Sequence, residues 1–301
     1  MRRAASGLPM SHRLAVLTML AATLLWSIAG VVTLQLESAR SFEVTFWRSF
    51  FNAVALLVLL PWLRGPAVFW RSVTAGGRTL WVSGLCWSVM FTAFMLALTL
   101  TTVANVLVTM AIAPLLTALM AWRVLGNRLP LRTWLTVLVA GAGIAWMYAR
   151  EVSGGGPSHL LGSLVALCVP IAAAVNWTVS QANRGGTGRD LLPAVLIGAA
   201  LSAAYTLPLA LPFAGSVHDI AWLALLGVAQ LAIPCVLAVL AARTLSAPEI
   251  SLLALLEIVF GVTWPWIGGQ EVPTPQVLTG GLVVVGALAV NEAIALRQRT
   301  A

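Results

Sequence analysis

The stretch TTVANVLVTMAIAPLLTALMAW, Thr101 to Trp122, finds an echo in SAPEISLLALLEIVFGVTWPW, Ser246 to Trp266. An offset of 144 residues sets Val103-Ala104-Asn105-Val106 on Ala247-Pro248-Glu249-Ile250 and Leu116 on Phe260. It also sets Asn127-Arg128-Leu129-Pro130 on Glu271-Val272-Pro273-Thr274. Apolar segment, short polar turn and next apolar segment recur in one order. A repeat this long doubles a whole block of helices.

Composition identifies the solvent of that block. Of 301 residues, 60% are hydrophobic and 9% charged, against about 25% charged in an average soluble domain. One water-soluble core stops growing near ~250–300 residues, so this much apolar surface requires lipid. The chain reads as an integral membrane protein, all-α and polytopic.

Several chemistries are excluded. All seventeen Lys+Arg positions are arginine, so there is no Walker A lysine to reach a phosphate and no Schiff-base lysine. The cysteines Cys86, Cys168 and Cys235 lie in apolar runs at unrelated spacings and read as small hydrophobes. No metal and no cofactor is expected. The net charge of +8 sits between apolar segments, where it reports topology; no nucleic-acid partner is expected.

A span of ~20 residues crosses ~30 Å of hydrocarbon. Ten such spans are expected: Leu14–Leu36, Glu43–Leu63, Thr79–Leu98, Thr101–Trp122, Leu131–Ala149, Leu160–Gln181, Leu191–Phe213, Ile220–Ala242, Ala247–Ile267 and Gln276–Leu296. The first is too long for a signal core and lacks a cleavage site, so it is read as uncleaved. Ser153-Gly-Gly-Gly-Pro157 reads as a flexible hinge. The expected organisation is a cytoplasmic tail (1–12), a first five-helix repeat (13–150), a hinge loop (151–157), a second repeat (158–296) and a cytoplasmic tail (297–301).

Arginine placement tests that count. With the N-terminus cytoplasmic, fourteen arginines fall inside, only Arg40 and Arg150 fall outside, and Arg48 lies within the second helix. This satisfies the positive-inside rule and puts both termini in the cytoplasm. Five helices per copy force the second copy to enter from the opposite side. Inverted repeats around a midplane site are a hallmark of secondary transporters.

The residues also resemble a known family. Each half has a small-residue turn (TTVANV; SAPEIS), an apolar helix, a polar link and a Gly-rich last helix (VLVAGAGIAWM; TGGLVVVGALAV). With LLWSIAG late in helix 1 and FWRSFF early in helix 2, this is similar to the EamA-type drug/metabolite transporter superfamily, from about Arg13 to Leu296. The resemblance implies ten helices as two inverted five-helix repeats around a central cavity. Within the superfamily the chain looks most like ten-helix amino-acid and metabolite exporters, including those for aromatic amino acids. It departs from a symmetric repeat where Glu257 stands opposite Ala113.

Glu257 lies at the middle of helix 9, where a charge costs roughly 2.5–3.5 kcal/mol on translocon scales. It reads either as a protonatable or amine-binding group facing the cavity, or as a neutral carboxylic acid bonded between helices. Ile250, Ala254, Glu257, Gly261 and Trp264 are expected on one face. Arg48 is the candidate carboxylate clamp; its shallow position also fits an interfacial arginine that snorkels or pairs with Glu43 or Glu37.

Other cavity candidates follow from helical faces. Trp26 and Ser27 share one face of helix 1, and Trp87, Met90 and Phe94 one of helix 3. Asn105 and Thr109, with Thr102, form a stripe on helix 4. Asn176 and Trp177 come from helix 6, and Tyr205 from helix 7. Small and hydroxyl residues also simply pack membrane helices. Pro114, Pro170, Pro208, Pro234 and Pro265 interrupt apolar spans as kinks or gates.

An intramembrane enzyme would want buried histidine or paired acids, whereas His12, His159 and His218 lie at span edges or in loops. The expected function is therefore a secondary transporter exporting small metabolites across the bacterial inner membrane by alternating access, with aromatic or hydrophobic amino acids favoured. A drug/toxicant efflux carrier of the same fold is the alternative, and an ion or solute channel a more distant one. The expected partners are the lipid bilayer and a small-molecule substrate. Proton coupling would run through Glu257, and the chain is a monomer or weak dimer.

Overall fold

A computed structural model describes residues 10–33, 35–39, 41–101, 103–126, 129–147, 157–186, 188–267 and 274–300. Most of the expected N-terminal tail, Arg40, Thr102, Asn127, Arg128, Arg150, the hinge as far as Gly156, and Glu271 to Pro273 lie outside the described residues.

Every regular element among the described residues is helical. The helices are α1 (His12–Trp26), α2 (Ala29–Thr33), α3 (Ser41–Arg64), α4 (Pro66–Ala75) and α5 (Gly77–Leu100). There follow α6 (Val103–Met110), α7 (Ala113–Leu125), α8 (Leu131–Met147), α9 (Pro157–Gly185) and α10 (Leu192–Ala210). The chain closes with α11 (Val217–Leu225), a π-helical segment (Leu226–Ala232), α12 (Ile233–Ala241), α13 (Ala247–Ala254), α14 (Leu256–Ile267) and α15 (Pro275–Thr300).

Seven stretches of the described residues are long and apolar enough to cross a membrane: His12–Thr33, Phe42–Arg64, Gly77–Leu100, Asn105–Leu125, Leu160–Gly185, Leu192–Ala210 and Val217–Ala241. Leu131–Met147 and Pro275–Asn291 are shorter apolar helices. The protein is thus a multi-pass, all-helical membrane protein. With no water in hydrocarbon to bond free backbone groups, helices are the form this composition must take.

Four departures from the expected spans have local causes. Helix 1 breaks after Trp26 at a turn of Ser27 and Ile28. Helix 4 breaks at Ala111–Ile112, just before Pro114, whose ring sits harmlessly in the first turn of α7. Helix 9 breaks at Leu255; the 144-residue offset of the repeat puts Ala111 on that residue. An additional short helix, α4, follows helix 2, because Gly65 takes φ +81° and Pro66 starts a new helix. At the C-terminus α15 runs on to Thr300, through most of the stretch expected as a tail.

Packing puts α10 between α3 and α5, with α9 on the far side of α5 and α7 against α9. α1 lies along α12 and the π-helical segment along α3, while α8 and α15 pair with each other. Close approach depends on glycine. A Cβ on Gly198 would stand 2.4 Å from Cβ of Trp87 and 2.9 Å from the carbonyl oxygen of Gly84. Small residues let lipid-embedded helices meet backbone to backbone.

Hydroxyl groups then bridge the gap. Ser202 of α10 exchanges hydrogen bonds with Ser49 of α3 (2.9 Å) and Thr92 of α5 (2.8 Å). Ser88 Oγ donates to Tyr205 Oη (2.9 Å), which donates to the Ser88 carbonyl (3.0 Å).

Buried carboxylates tie one end of the bundle. Asp219, at the start of α11, accepts from the backbone N–H groups of Glu37 (2.8 Å), Ser38 (3.1 Å) and Ala39 (3.1 Å). Glu43, at the start of α3, accepts from those of Ala214 (2.8 Å) and Gly215 (2.9 Å). Each half therefore grips the other's loop by charge-assisted bonds at a helix N-terminus. At the opposite end Arg64 and Arg243 reach Asp190 at 3.7 and 2.7 Å, and Arg189 Nη1 donates to the Gly76 carbonyl at 3.1 Å.

The α5–α10 contact is directly testable. Gly198→Val drives a branched side chain into the α5 backbone and should destabilise the protein by about 1–3 kcal/mol, the usual cost of overpacking. The thermal midpoint in detergent should fall, whereas Gly141→Ala, whose Cβ meets open space, should leave it unchanged.

Candidate functional site

The helix breaks and the π-helical segment converge on one cavity of about 130 Å³, comparable with the ~150 Å³ cavities that accept a benzene-sized ring. Trp26 enters it from the end of α1, and Arg48 from α3. Trp87, Met90, Phe91 and Phe94 come from α5 and Trp177 from α9. Met110 and Ala113 flank the α6–α7 break, and Ser251, Ala254, Leu255 and Glu257 flank the α13–α14 break. Gln230, Leu231 and Cys235 descend from the π-helical region.

The walls are aromatic. Trp87 and Trp177 meet edge to face, with ring centroids 5.6 Å apart at 89°, and Phe91 lies 5.6 Å from Trp87. Trp87 Nε1 is buried without a hydrogen-bond partner. A flat apolar ligand fits such walls, and the orphaned indole N–H offers it a polar handle.

Against those walls stand two charged side chains. Arg48 is only 4% exposed; its guanidinium carbon lies 5.9 Å from the Phe94 ring centroid. Its Nε and Nη1 are buried and have no hydrogen-bond partner. The expectation of a shallow arginine paired with Glu43 or Glu37 is corrected here. α3 begins at Ser41, so Arg48 is about two turns deep, and Glu43 is spent on the 214–215 amides.

Glu257 is in the first turn of α14 and is half-buried on the cavity wall. Among the described residues it has no hydrogen-bond or ion-pair partner, and it interacts with Arg48 only as a charge. The bonded-acid alternative thus has no partner to support it. A cation and an acid that share a cavity without pairing are unsatisfied at both ends.

Of the residues expected in the cavity, Trp26, Arg48, Trp87, Met90, Phe94, Trp177 and Glu257 line it. Five others are placed elsewhere, each held by a bond to a neighbour. Ser27 Oγ donates to the Leu24 carbonyl (2.7 Å) and accepts from Trp264 Nε1 (2.8 Å). Asn105 Nδ2 donates to Thr101 Oγ1 (2.9 Å) and Thr109 Oγ1 to the Asn105 carbonyl (2.7 Å). Asn176 Oδ1 accepts from Ser83 Oγ (2.6 Å). Tyr205, 44% exposed, belongs to the hydroxyl bridge. On the helix-9 face only Ala254 and Glu257 reach the cavity; Ile250 packs in the core.

Gln230, Phe91, Met110 and Cys235 were not expected there. Gln230 had a signal, being a lone amide in the apolar run LGVAQLAIP. The others are apolar or weakly polar residues whose side depends on the π-helical segment and on helix rotation.

Comparison with known proteins places this geometry. The model of the EamA-like transporter family matches residues 13–149. Residues 13–149 are thus similar to that family. The match bears out the resemblance to the EamA-type drug/metabolite transporter superfamily, a family of membrane transporters of small solutes. A solved structure described as "Crystal structure of protein" is 21% identical, with a TM-score of 0.76, over 96% of this chain and 99% of its own. That likeness extends the fold beyond the EamA segment across the second half. No curated protein matches the sequence.

If Arg48 awaits a ligand rather than holding the helices, removing it should not loosen them. Arg48→Met should leave the ligand-free thermal midpoint unchanged or raise it, because it removes a desolvated and half-bonded charge. A fall worth more than about 1 kcal/mol, or ~2–4 °C at this size, would assign Arg48 to structure instead.

Proposed function

We propose that this protein exports small zwitterions, with hydrophobic and aromatic amino acids foremost, through the central cavity by alternating access. The observation that carries the reading is the unpaired sharing of one aromatic cavity by Arg48 and Glu257. Arg48 supplies buried N–H donors for a carboxylate, which guanidinium receives in a bidentate fork. Glu257 supplies an anion for the amine. The side chain would lie among Trp87, Trp177, Phe91 and Phe94. Apolar walls with a few convergent polar groups are the usual form of a small-molecule site.

The same cation disfavours the drug-efflux alternative for the common case of a lipophilic cation. Such a ligand would meet Glu257 but leave the Arg48 donors bare, whereas a zwitterion engages both charges.

Ten spans as two inverted repeats remain the reading of the architecture. Two features support it. The broken helices α6–α7 and α13–α14 break at equivalent residues of the repeat and touch each other. Exchanging the halves also turns the α5–α9 contact into α12–α1, and the α5–α10 contact into the π-helical segment against α3. Loops expected in the cytoplasm meet through Arg64, Asp190 and Arg243. Loops expected outside meet through Glu43 and Asp219. This pattern supports cytoplasmic termini in a bacterial inner membrane, with the arginine-rich face inward. The two halves would rock about the cavity, the helix breaks serving as hinges.

Glu257 is also the group through which protons would couple to export. Counterflow of labelled amino acids in proteoliposomes across a range of pH tests both points. Glu257→Gln should make exchange insensitive to pH; a pH profile identical to wild type would remove Glu257 from coupling. Trp177→Ala should weaken export of aromatic amino acids at least ~10-fold relative to alanine, since aromatic packing and buried area are lost together. Saturable counterflow supports a carrier, and ohmic currents without counterflow would refute it.

A further inference from the structure

One cavity residue has its chemistry fixed by a bond outside the cavity. α1 stops at Trp26, and a helix end leaves carbonyls without helical partners. Gln230 meets that need: its Nε2 donates to the Trp26 carbonyl oxygen at 3.1 Å. A carbonyl can only accept, so the amino side of the amide faces Trp26, and the orientation of the amide follows from the bond. Oε1 is therefore the atom left over. It is buried and without a hydrogen-bond partner, on a residue 2% exposed that lines the cavity.

The backbone beneath it is equally specific. Gln230 lies within the π-helical segment Leu226–Ala232, and π-helical turns are rare and cluster at functional sites. Gly227 of that segment sits against α3, where a Cβ would stand 2.7 Å from the Arg48 carbonyl oxygen and 2.9 Å from the Asn52 nitrogen. The turn that carries Gln230 is thereby seated on the helix that carries Arg48.

We infer that Gln230 is a specificity-determining residue of this site, its Oε1 accepting a hydrogen bond from an amino N–H of the bound solute. The inference rests on the zwitterion reading above and adds a neutral acceptor to it. Of the polar side chains lining the cavity, Arg48 and the indoles of Trp26 and Trp87 only donate, and Ser251 Oγ accepts from Thr117 Oγ1 (3.2 Å) with one of its two acceptor positions. Gln230 and Glu257 are the lining oxygen acceptors that, among the described residues, have no hydrogen-bond partner, and so stand first to face an amine. Unlike Glu257, Gln230 keeps its acceptor at every pH. A site with a buried acceptor rejects an analogue that lacks the donor, because the acceptor then stays bare.

The test compares binding of L-phenylalanine and 3-phenylpropionate, which lacks the amine, to purified full-length protein in detergent. The wild type should prefer phenylalanine by about 10-fold or more. Gln230→Met, of similar volume, should narrow that ratio about 10-fold while leaving 3-phenylpropionate binding as it was. Equal weakening of both ligands would mean that Gln230 only supports Trp26, and would overturn the inference. If Gln230→Met does not fold, Gln230→Glu keeps an acceptor oxygen and adds charge, so it should widen the ratio; an unchanged or narrowed ratio would also overturn the inference. A wild type that binds neither ligand would overturn the zwitterion reading itself, and this inference with it.

Discussion

In hydrocarbon a backbone N–H or carbonyl has no water to turn to, so each must find its partner within the protein. That constraint explains why the described chain is helical throughout, and it makes every interruption of a helix significant. Broken backbone is tolerated at membrane depth only where protein buries it or a cavity receives it. Here the breaks after Trp26, at Ala111–Ile112 and at Leu255, together with the π-helical segment, all adjoin one hollow. The interruptions make the site: they bring Trp26, Met110, Ala113, Leu255 and Glu257 to its wall.

Polar groups in this molecule fall into two populations. One is fully engaged. Asp219 and Glu43 hold loop amides, and Ser49, Ser202, Thr92 and Tyr205 bridge three helices. These groups hold the bundle together. The other population is buried and incompletely bonded; Arg48, Trp87 and Gln230 of this group line the cavity, with Glu257 beside them, while Asn52, Arg132, Asn176 Nδ2 and Thr178 lie away from it. A buried polar group without a partner is costly. Its persistence around one cavity is most simply understood if a solute completes it.

That distinction also shows why half of the candidate site was legible in the sequence. Trp26, Trp87, Met90, Phe94 and Trp177 were reachable because helical periodicity puts them on inward faces, and Glu257 because a lone acid in a greasy run demands a reason. Ser27, Asn105, Thr109, Asn176 and Tyr205 carry the same polar signal, yet their bonds go to neighbouring helices or to their own backbone. Arg48 was misjudged in depth because the start of α3 sets how many turns precede it, and that start depends on Glu43 binding a loop 171 residues away.

By itself, then, the amino-acid order determined the lipid environment, the helical class and the likeness of its first half to the EamA-like transporter family, because these depend on composition and on patterns along one helix. Only the tertiary structure decided which helices break, where Gln230 turns its oxygen, and which polar side chains remain without partners. Those outcomes are set between helices, by glycine contacts such as Gly198 on Trp87 and Gly227 on α3, where a few tenths of an ångström determine which residue faces the cavity.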